Sequence, residues 1–179
     1  LLQAAGAYLK QFNLQHVAAS PLTRAKFGAR EVLKRQEHED ADIQVFDGFT
    51  EMDRGSWCGK TKEEIGEANM DRFNACDESV TPNGGESYYS LVDRVLAARN
   101  DLLEITDVGN ASAVVSHLQV TRSMLSDALG IPANEMSDLG IATASITCVD
   151  FDSVTGTQTV HFQSFKPEAG LHKSIDGAN

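Results

Sequence analysis

The sequence predicts an α/β fold, a three-layer α/β/α sandwich with a mostly parallel sheet and a C-terminal hairpin. Amphipathic helical segments alternate with short apolar runs, which is typical of parallel strands connected by helices. Two segments with β-branched residues, 144–151 and 157–165, flank a turn and predict the hairpin. Because 179 residues at 41% hydrophobic content can bury one core, we predict a single domain over 1–165 and a polar tail over 166–179.

Composition excludes several classes of partner. The formal net charge is -11, with no basic run, so nucleic acid and anionic membrane surfaces are not expected to bind. No segment approaches the ~20 apolar residues of a membrane span. The three cysteines are far apart and lack zinc-ligand spacing, so we expect no metal and a reducing compartment.

The first third of the chain predicts a helix, a strand and a second helix. Apolar spacing over 1–12 indicates a helix, 14–19 reads as a buried strand, and the next helix extends to Leu33. Arg24 falls in the first turn of that second helix, where the helix dipole disfavours a cation. This placement indicates either an anion-binding residue or an ordinary surface arginine.

The middle of the chain combines loops with two further helices. A candidate strand at 43–46 leads into a glycine-punctuated loop over 49–59, which is typical of segments that shape a pocket. Thr61 and Glu64 form a capping box for a helix that extends to about Cys76. Glu86 follows a Pro-Asn-Gly-Gly turn directly before a long helix that Ser87 can cap.

His117 stands at the joint between a strand over 111–116 and a helix that stops at Gly130. In an open α/β sheet, ligands bind at the carboxyl ends of the strands, where helix amino-termini favour anions. A histidine at such a place is either catalytic or a hydrogen-bonded structural residue. The other histidines, at positions 16, 38, 161 and 172, have no neighbours in sequence that indicate chemistry.

Arg24, Glu86 and His117 each lie at the end of a predicted strand or the start of a predicted helix. A guanidinium, a carboxyl group and an imidazole are the groups that phosphoryl transfer without a metal requires. They would stabilise the equatorial oxygens, protonate the leaving oxygen and position a donor. The sequence therefore predicts that these three side chains surround a bound phosphate.

Four short motifs resemble those of the histidine phosphatase superfamily, which has the phosphoglycerate mutase-like fold. They occur in the family's order between residue 1 and roughly residue 165. The motifs are Ser-Pro-Leu-Thr-Arg-Ala at 20–25, a Glu-x-x-x-Gly-x-Trp-x-Gly-x-Thr loop at 51–61, Gly-Gly-Glu-Ser at 84–87, and Val-Val-Ser-His at 114–117 followed by Val120 and Arg122.

The resemblance implies phosphomonoester hydrolysis through a phosphohistidine, without a cofactor. By the family's pattern, Arg24 and His117 would hold the phosphoryl oxygens, and Glu86 would protonate the leaving alkoxide and then activate water. We place Leu118, Glu51 and Trp57 with Arg24 and His117 among the substrate-binding residues. The expected partner is a phosphorylated small molecule or a phosphoprotein.

Three departures from the family qualify this expectation. The family's nucleophile lies in an Arg-His-Gly motif on the first strand, and that strand and motif are absent from the sequence. Since the chain starts inside a helical pattern, we expect both upstream of Leu1. Leu118 stands where family members have a small residue and could crowd the phosphate. Met52 replaces an arginine of the mutases, which favours a phosphatase.

Besides a phosphatase, two other functions are considered for this sequence. A phosphatase-like domain without the nucleophile could serve as an interaction or structural subunit with protein partners. A nucleotide-binding α/β domain is disfavoured because the sequence has neither of the usual glycine-rich phosphate-binding motifs. The residues upstream of Leu1 would discriminate between the enzyme and the inactive domain.

Overall fold

The computed structural model describes residues 2–36 and 42–167. The polar loop predicted around His38 and most of the predicted tail, with His172, lie outside these residues. No helix within the described ranges is long and apolar enough to cross a membrane.

A three-stranded parallel sheet forms the centre of the fold. Strand β1 (Leu14–Ala19) lies between β2 (Gln44–Val45) and β3 (Ala111–Val115). Ala19 pairs with Val45 on one side and with Val115 on the other, so all three strands end at one edge. Within residues 2–36 and 42–167, β1 is the only strand paired with β3. This arrangement confirms the predicted parallel sheet.

In the described part of the chain, six α-helices connect and cover the strands. The predicted helix from Thr61 to Cys76 is interrupted at Gly66, whose φ of 89° is a left-handed conformation that favours glycine. The capping box of Thr61 and Glu64 is confirmed, as is the Ser87 cap. The helices are α1 (Leu2–Leu9), α2 (Thr23–Leu33), α3 (Lys62–Ile65), α4 (Glu67–Asn74), α5 (Tyr88–Glu104) and α6 (Leu118–Leu129).

Alternation along β1 produces the three layers. Val17 and Ala19 point to one face of the sheet and pack in a buried cluster with residues of α2. Ala18 points to the other face and joins a larger cluster, supplied mainly by α5, α6 and the loops around them. The larger cluster consists of Ala18, Phe49, Met52, Phe73, Tyr88, Leu91, Val95, Ala98, Leu102, Val120 and Met136.

The predicted hairpin forms a separate antiparallel pair, β4 (Ile146–Phe151) and β5 (Gln158–Phe165). It is joined to α6 by a hydrogen bond of 2.7 Å from Gln158 Nε2 to Asp127 Oδ2. It also contacts α1, since the ring of Tyr8 lies 4.8 Å from that of Phe165. The hairpin therefore packs against helices rather than extending the central sheet.

Candidate active site

The carboxyl ends of β1 and β3 bring Ser20 and His117 together. Ser20 directly follows β1, His117 is the second residue after the end of β3, and the Ser20 backbone N–H donates to the Val115 carbonyl at 3.2 Å. His117 Nε2 then lies 2.9 Å from Ser20 Oγ. The imidazole is thus fixed at the edge of the sheet where the sequence predicted it.

Two charged side chains act on the His117 ring. Burial lowers the pKa of His117 below its usual value, the Arg24 guanidinium lowers it further, and the Glu51 carboxylate opposes both. Arg24 is exposed in the first turn of α2 and has no carboxylate partner within residues 2–36 and 42–167. A cation without a counter-ion beside a neutral imidazole is an arrangement suited to an anion.

Glu51 reaches this rim from the loop after β2. Its Oε1 accepts hydrogen bonds from the backbone N–H groups of Met52, at 2.8 Å, and of Gln119, at 3.3 Å. Gln119 is in the first turn of α6, so Glu51 is held close to His117. Its other carboxylate oxygen has no hydrogen-bond partner among the residues described. One oxygen of Glu51 is therefore available to a ligand.

Glu86 occupies a different environment from the one predicted. Its Oε2 accepts from Arg94 Nε at 2.9 Å, and its Oε1 accepts from Arg94 Nη2 at 2.5 Å and from the Asp53 N–H at 2.8 Å. Both oxygens are engaged. The structure therefore brings Arg24, Glu51 and His117 together, whereas Glu86 forms an ion pair with Arg94.

Arg94 is the residue that the sequence reasoning missed. Its guanidinium also donates to the carbonyls of Gly48, at 2.8 Å, and Thr50, at 2.9 Å, so it fixes the loop that carries Glu51. One feature of the sequence could have indicated Arg94. It is a charged residue next to the apolar positions Leu91 and Val95, which are buried on the inward side of α5. A charge at such a position requires several partners, and the loop carbonyls supply them.

A close approach of two glycines joins the same loops. Gly55 has a φ of 46°, and a Cβ added to it would come within 2.3 Å of the Gly85 nitrogen. The loop of Glu51 and the turn of Glu86 are therefore packed backbone to backbone. This contact explains the glycine in the Glu-x-x-x-Gly motif.

The remaining predicted substrate-binding residues lie at two different places. Leu118, the first residue of α6, is 40% exposed directly beside His117. Trp57 packs edge-on against Phe73, with ring centroids 5.2 Å apart, and lines a cavity of about 190 Å³ that does not include His117. Met52 is buried in the core.

Two further arginines lie near Tyr88. Burial raises the pKa of Tyr88, and the guanidinium groups of Arg54 and Arg122 act in the opposite direction. The Arg54 guanidinium lies 5.2 Å from the centre of the Phe73 ring, and Arg122 Nε donates to the Leu139 carbonyl at 2.8 Å. Within the described ranges, neither arginine has a carboxylate partner. Among the same residues, no group of three or more potential metal ligands was found.

Comparison with known proteins gives the family. The model of the histidine phosphatase superfamily (branch 1) matches residues 2–163. The chain belongs to the histidine phosphatase superfamily. The match confirms the resemblance carried by the four motifs.

Relatives of this histidine phosphatase domain include proteins of different length. It is 30% identical over 150 residues to "Bifunctional protein Rv2228c" of Mycobacterium tuberculosis, covering 83% of this chain and 40% of that protein. It is 27% identical over 175 residues to "Phosphoserine phosphatase 1" of Hydrogenobacter thermophilus, covering 93% and 80%. The chain thus spans about two fifths of the mycobacterial relative.

Among solved structures, YhfR of Bacillus stearothermophilus superimposes with a TM-score of 0.77 at 20% identity, covering 92% of this chain and 81% of the other. At that identity, the similarity shows the fold. It confirms the phosphoglycerate mutase-like architecture.

Proposed function

We propose that this protein hydrolyses phosphomonoesters through a phosphohistidine intermediate. The observation that carries the proposal is the set of groups around the rim, namely exposed Arg24, half-buried His117 and Glu51 with one free oxygen. Family membership and the phosphatase relative support the reaction class. Arg24 and His117 would hold the phosphoryl oxygens and stabilise the charge that develops on them.

In this proposal Glu51, rather than Glu86, acts as the general acid and then as the general base. A carboxyl group that transfers a proton needs an oxygen within reach of the leaving group. Glu51 has such an oxygen beside His117, whereas both oxygens of Glu86 are engaged by Arg94 and the Asp53 N–H. Glu86 and Arg94 would instead hold the loop of Glu51 in place.

The nucleophilic histidine is proposed to come from outside the 179 residues, in the family's Arg-His-Gly motif. Of the other described histidines, His16 bonds to the Ile105 carbonyl at 2.9 Å, and His161 lies 3.8 Å from Asp150 on the hairpin. Neither contacts the rim. In the part of the chain described, the edge of β3 away from β1 has no paired strand, so it offers backbone donors and acceptors to the strand that would carry the motif.

The substrate is proposed to be a small phosphomonoester with a second anionic group. Arg54 and Arg122 lack carboxylate partners in the part of the chain described, although the protein is strongly acidic. Phosphoserine, named in one relative, carries a carboxylate besides its phosphate. Arg54→Met should raise KM for phosphoserine more than for phenyl phosphate, while Arg72→Met, on exposed α4, should change neither. An equal effect on both substrates would contradict this specificity.

The reaction itself is tested with the natural protein, including whatever sequence precedes Leu1. It should hydrolyse an aryl phosphate in the presence of EDTA and become labelled on histidine during turnover. Glu51→Gln should abolish most of the activity, and Glu63→Gln, an exposed carboxylate of α3, should not. A metal requirement, or labelling of a side chain other than histidine, would contradict the mechanism.

The alternative function is an inactive phosphatase-like domain that acts as an interaction subunit. It is favoured by one observation, that His117 is the only histidine at the rim among residues 2–36 and 42–167. In that case the natural protein would bind inorganic phosphate without forming phosphohistidine. Phosphohistidine formation by the purified natural protein would exclude the alternative.

A further inference from the structure

Ser20 and His117 make a contact that the proposed mechanism does not use. Ser20 is fully buried, and its Oγ lies 2.9 Å from His117 Nε2. A buried hydroxyl needs a partner for its proton, and a neutral imidazole has one nitrogen that donates and one that accepts. The contact therefore decides which ring nitrogen carries the proton.

The hydrogen bonds of Ser20 indicate the direction of this contact. The Leu22 N–H donates to Ser20 Oγ at 3.3 Å, so the oxygen already serves as an acceptor. Among the described residues, His117 Nε2 is the only acceptor available to the Ser20 hydroxyl proton. Were Nε2 protonated, the oxygen would accept twice and a buried O–H would be left unpaired, which is unfavourable.

We propose that Ser20 is a positioning residue that holds neutral His117 in the tautomer protonated at Nδ1. Nδ1 has no hydrogen-bond partner within residues 2–36 and 42–167. Its N–H is thereby kept as a donor for a ligand. The charged groups that act on the ring are Arg24 and Glu51, and neither is bonded to it.

The role of this tautomer in catalysis rests on the proposed function, whereas the tautomer itself is inferred from the hydrogen bonds of Ser20 alone. In the phosphatase, the Nδ1–H group would donate to a phosphoryl oxygen without first having to exchange its proton. An imidazole free to adopt either tautomer would present that donor for only part of the time. Preorganised donors of this kind stabilise developing charge more effectively than mobile ones.

Long-range ¹H–¹⁵N NMR of the natural protein tests the tautomer directly. The His117 signals are assigned by their loss in His117→Asn. Above the titration range, Nδ1 should be protonated and Nε2 unprotonated. A ring protonated at Nε2 in the wild-type protein would overturn the proposal without any further variant.

Ser20→Ala should produce a mixture of tautomers and raise the His117 titration midpoint by about 0.5–1 pH unit, because the neutral ring loses its donor. Ser116→Ala is the matched control, since its hydroxyl bonds to the Phe49 carbonyl at 2.9 Å and not to His117. If Ser20→Ala does not fold, Ser20→Thr should keep the wild-type tautomer. An unchanged tautomer in Ser20→Ala, or a changed one in Ser20→Thr, would contradict the proposal.

Adding inorganic phosphate separates the two proposals. A shift of the Nδ1 resonance supports both the tautomer and the phosphate site. The expected tautomer with no response to phosphate would contradict the proposed function and leave the role of Ser20 intact.

Discussion

Glu51 and Glu86 have the same type of side chain and both bond to Arg94, Glu51 through its backbone carbonyl and Glu86 through its carboxylate, but the surroundings of the two carboxylates differ. Glu86 accepts two hydrogen bonds from the Arg94 side chain and one from a backbone N–H. Among the described residues, the Glu51 carboxylate accepts hydrogen bonds only from backbone N–H groups, all on one oxygen, and it acts electrostatically on His117. A carboxylate fully engaged by an arginine suits a structural role, whereas one with a free oxygen beside an imidazole suits proton transfer.

Catalytic activity should distinguish Glu51 from Glu86 most strongly. Glu51→Gln should lower kcat by about 10²–10⁴-fold, because the acid for the leaving oxygen is lost. The loss should grow as the leaving group becomes poorer, and kcat measured over a series of aryl and alkyl phosphates checks this. A graded loss in Glu86→Gln, with none in Glu51→Gln, would reverse the assignment.

His117→Ala should lower kcat by roughly 10²-fold or more, because a donor to the phosphoryl oxygens is removed. This variant tests whether His117, which lies beside Glu51 and not beside Glu86, takes part in the reaction. His16→Ala is the control, since His16 is bonded to the Ile105 carbonyl away from the rim. Unchanged turnover of an aryl phosphate by His117→Ala would count against the site.

For the free energy of unfolding, we expect Glu86→Gln to have the larger effect and Glu51→Gln the smaller one. The Arg94 and Glu86 side chains are 28% and 14% exposed, so Glu86→Gln leaves a half-buried guanidinium short of its partner. We expect the free energy of unfolding to fall by about 2–3 kcal/mol, and by much less in Glu51→Gln. Denaturant unfolding of Glu86→Gln, Arg94→Met and the double variant measures the coupling, which should be at least about 1 kcal/mol. Additive losses would show that the ion pair contributes nothing.

The smallest expected effect is on the titration of His117. The Glu51 carboxylate favours the imidazolium form, so Glu51→Gln should lower the pKa of His117 further. Glu86→Gln should leave it unchanged, because Glu86 is neutralised by Arg94. NMR titration of the ring checks both variants. A rise in the pKa of His117 in Glu51→Gln would show that the carboxylate does not face the ring.

Much of the fold could be predicted from the sequence because its patterns are local. The apolar run at 14–19, the His117 joint and the hairpin all follow from periodicity and turn residues. The break at Gly66 was missed because periodicity continues across it, and only its left-handed backbone separates α3 from α4.

The candidate site could be predicted only in part. Arg24 and His117 were found because each lies where a strand leads into a helix, Arg24 in the first turn of α2 and His117 directly before α6. The roles of Glu51 and Glu86 could not be distinguished from the sequence, because both residues lie next to glycine-containing loops. Glu51 precedes Gly55, and Glu86 follows Gly85. What distinguishes them is the Arg94 side chain, which reaches Glu86 and the carbonyl of Gly48, 46 positions away in sequence. Contacts of that range leave no spacing signal in a single sequence.

The edge of β3 that faces away from β1 should affect the solution behaviour of the polypeptide at high concentration. Within residues 2–36 and 42–167, β3 is composed of Ala, Ser and Val and its backbone is paired on one side only, which makes it a template for intermolecular β-pairing. A recombinant polypeptide of these 179 residues should therefore self-associate as its concentration rises. Light scattering over a dilution series would detect this, and a synthetic peptide that pairs with β3 should suppress it.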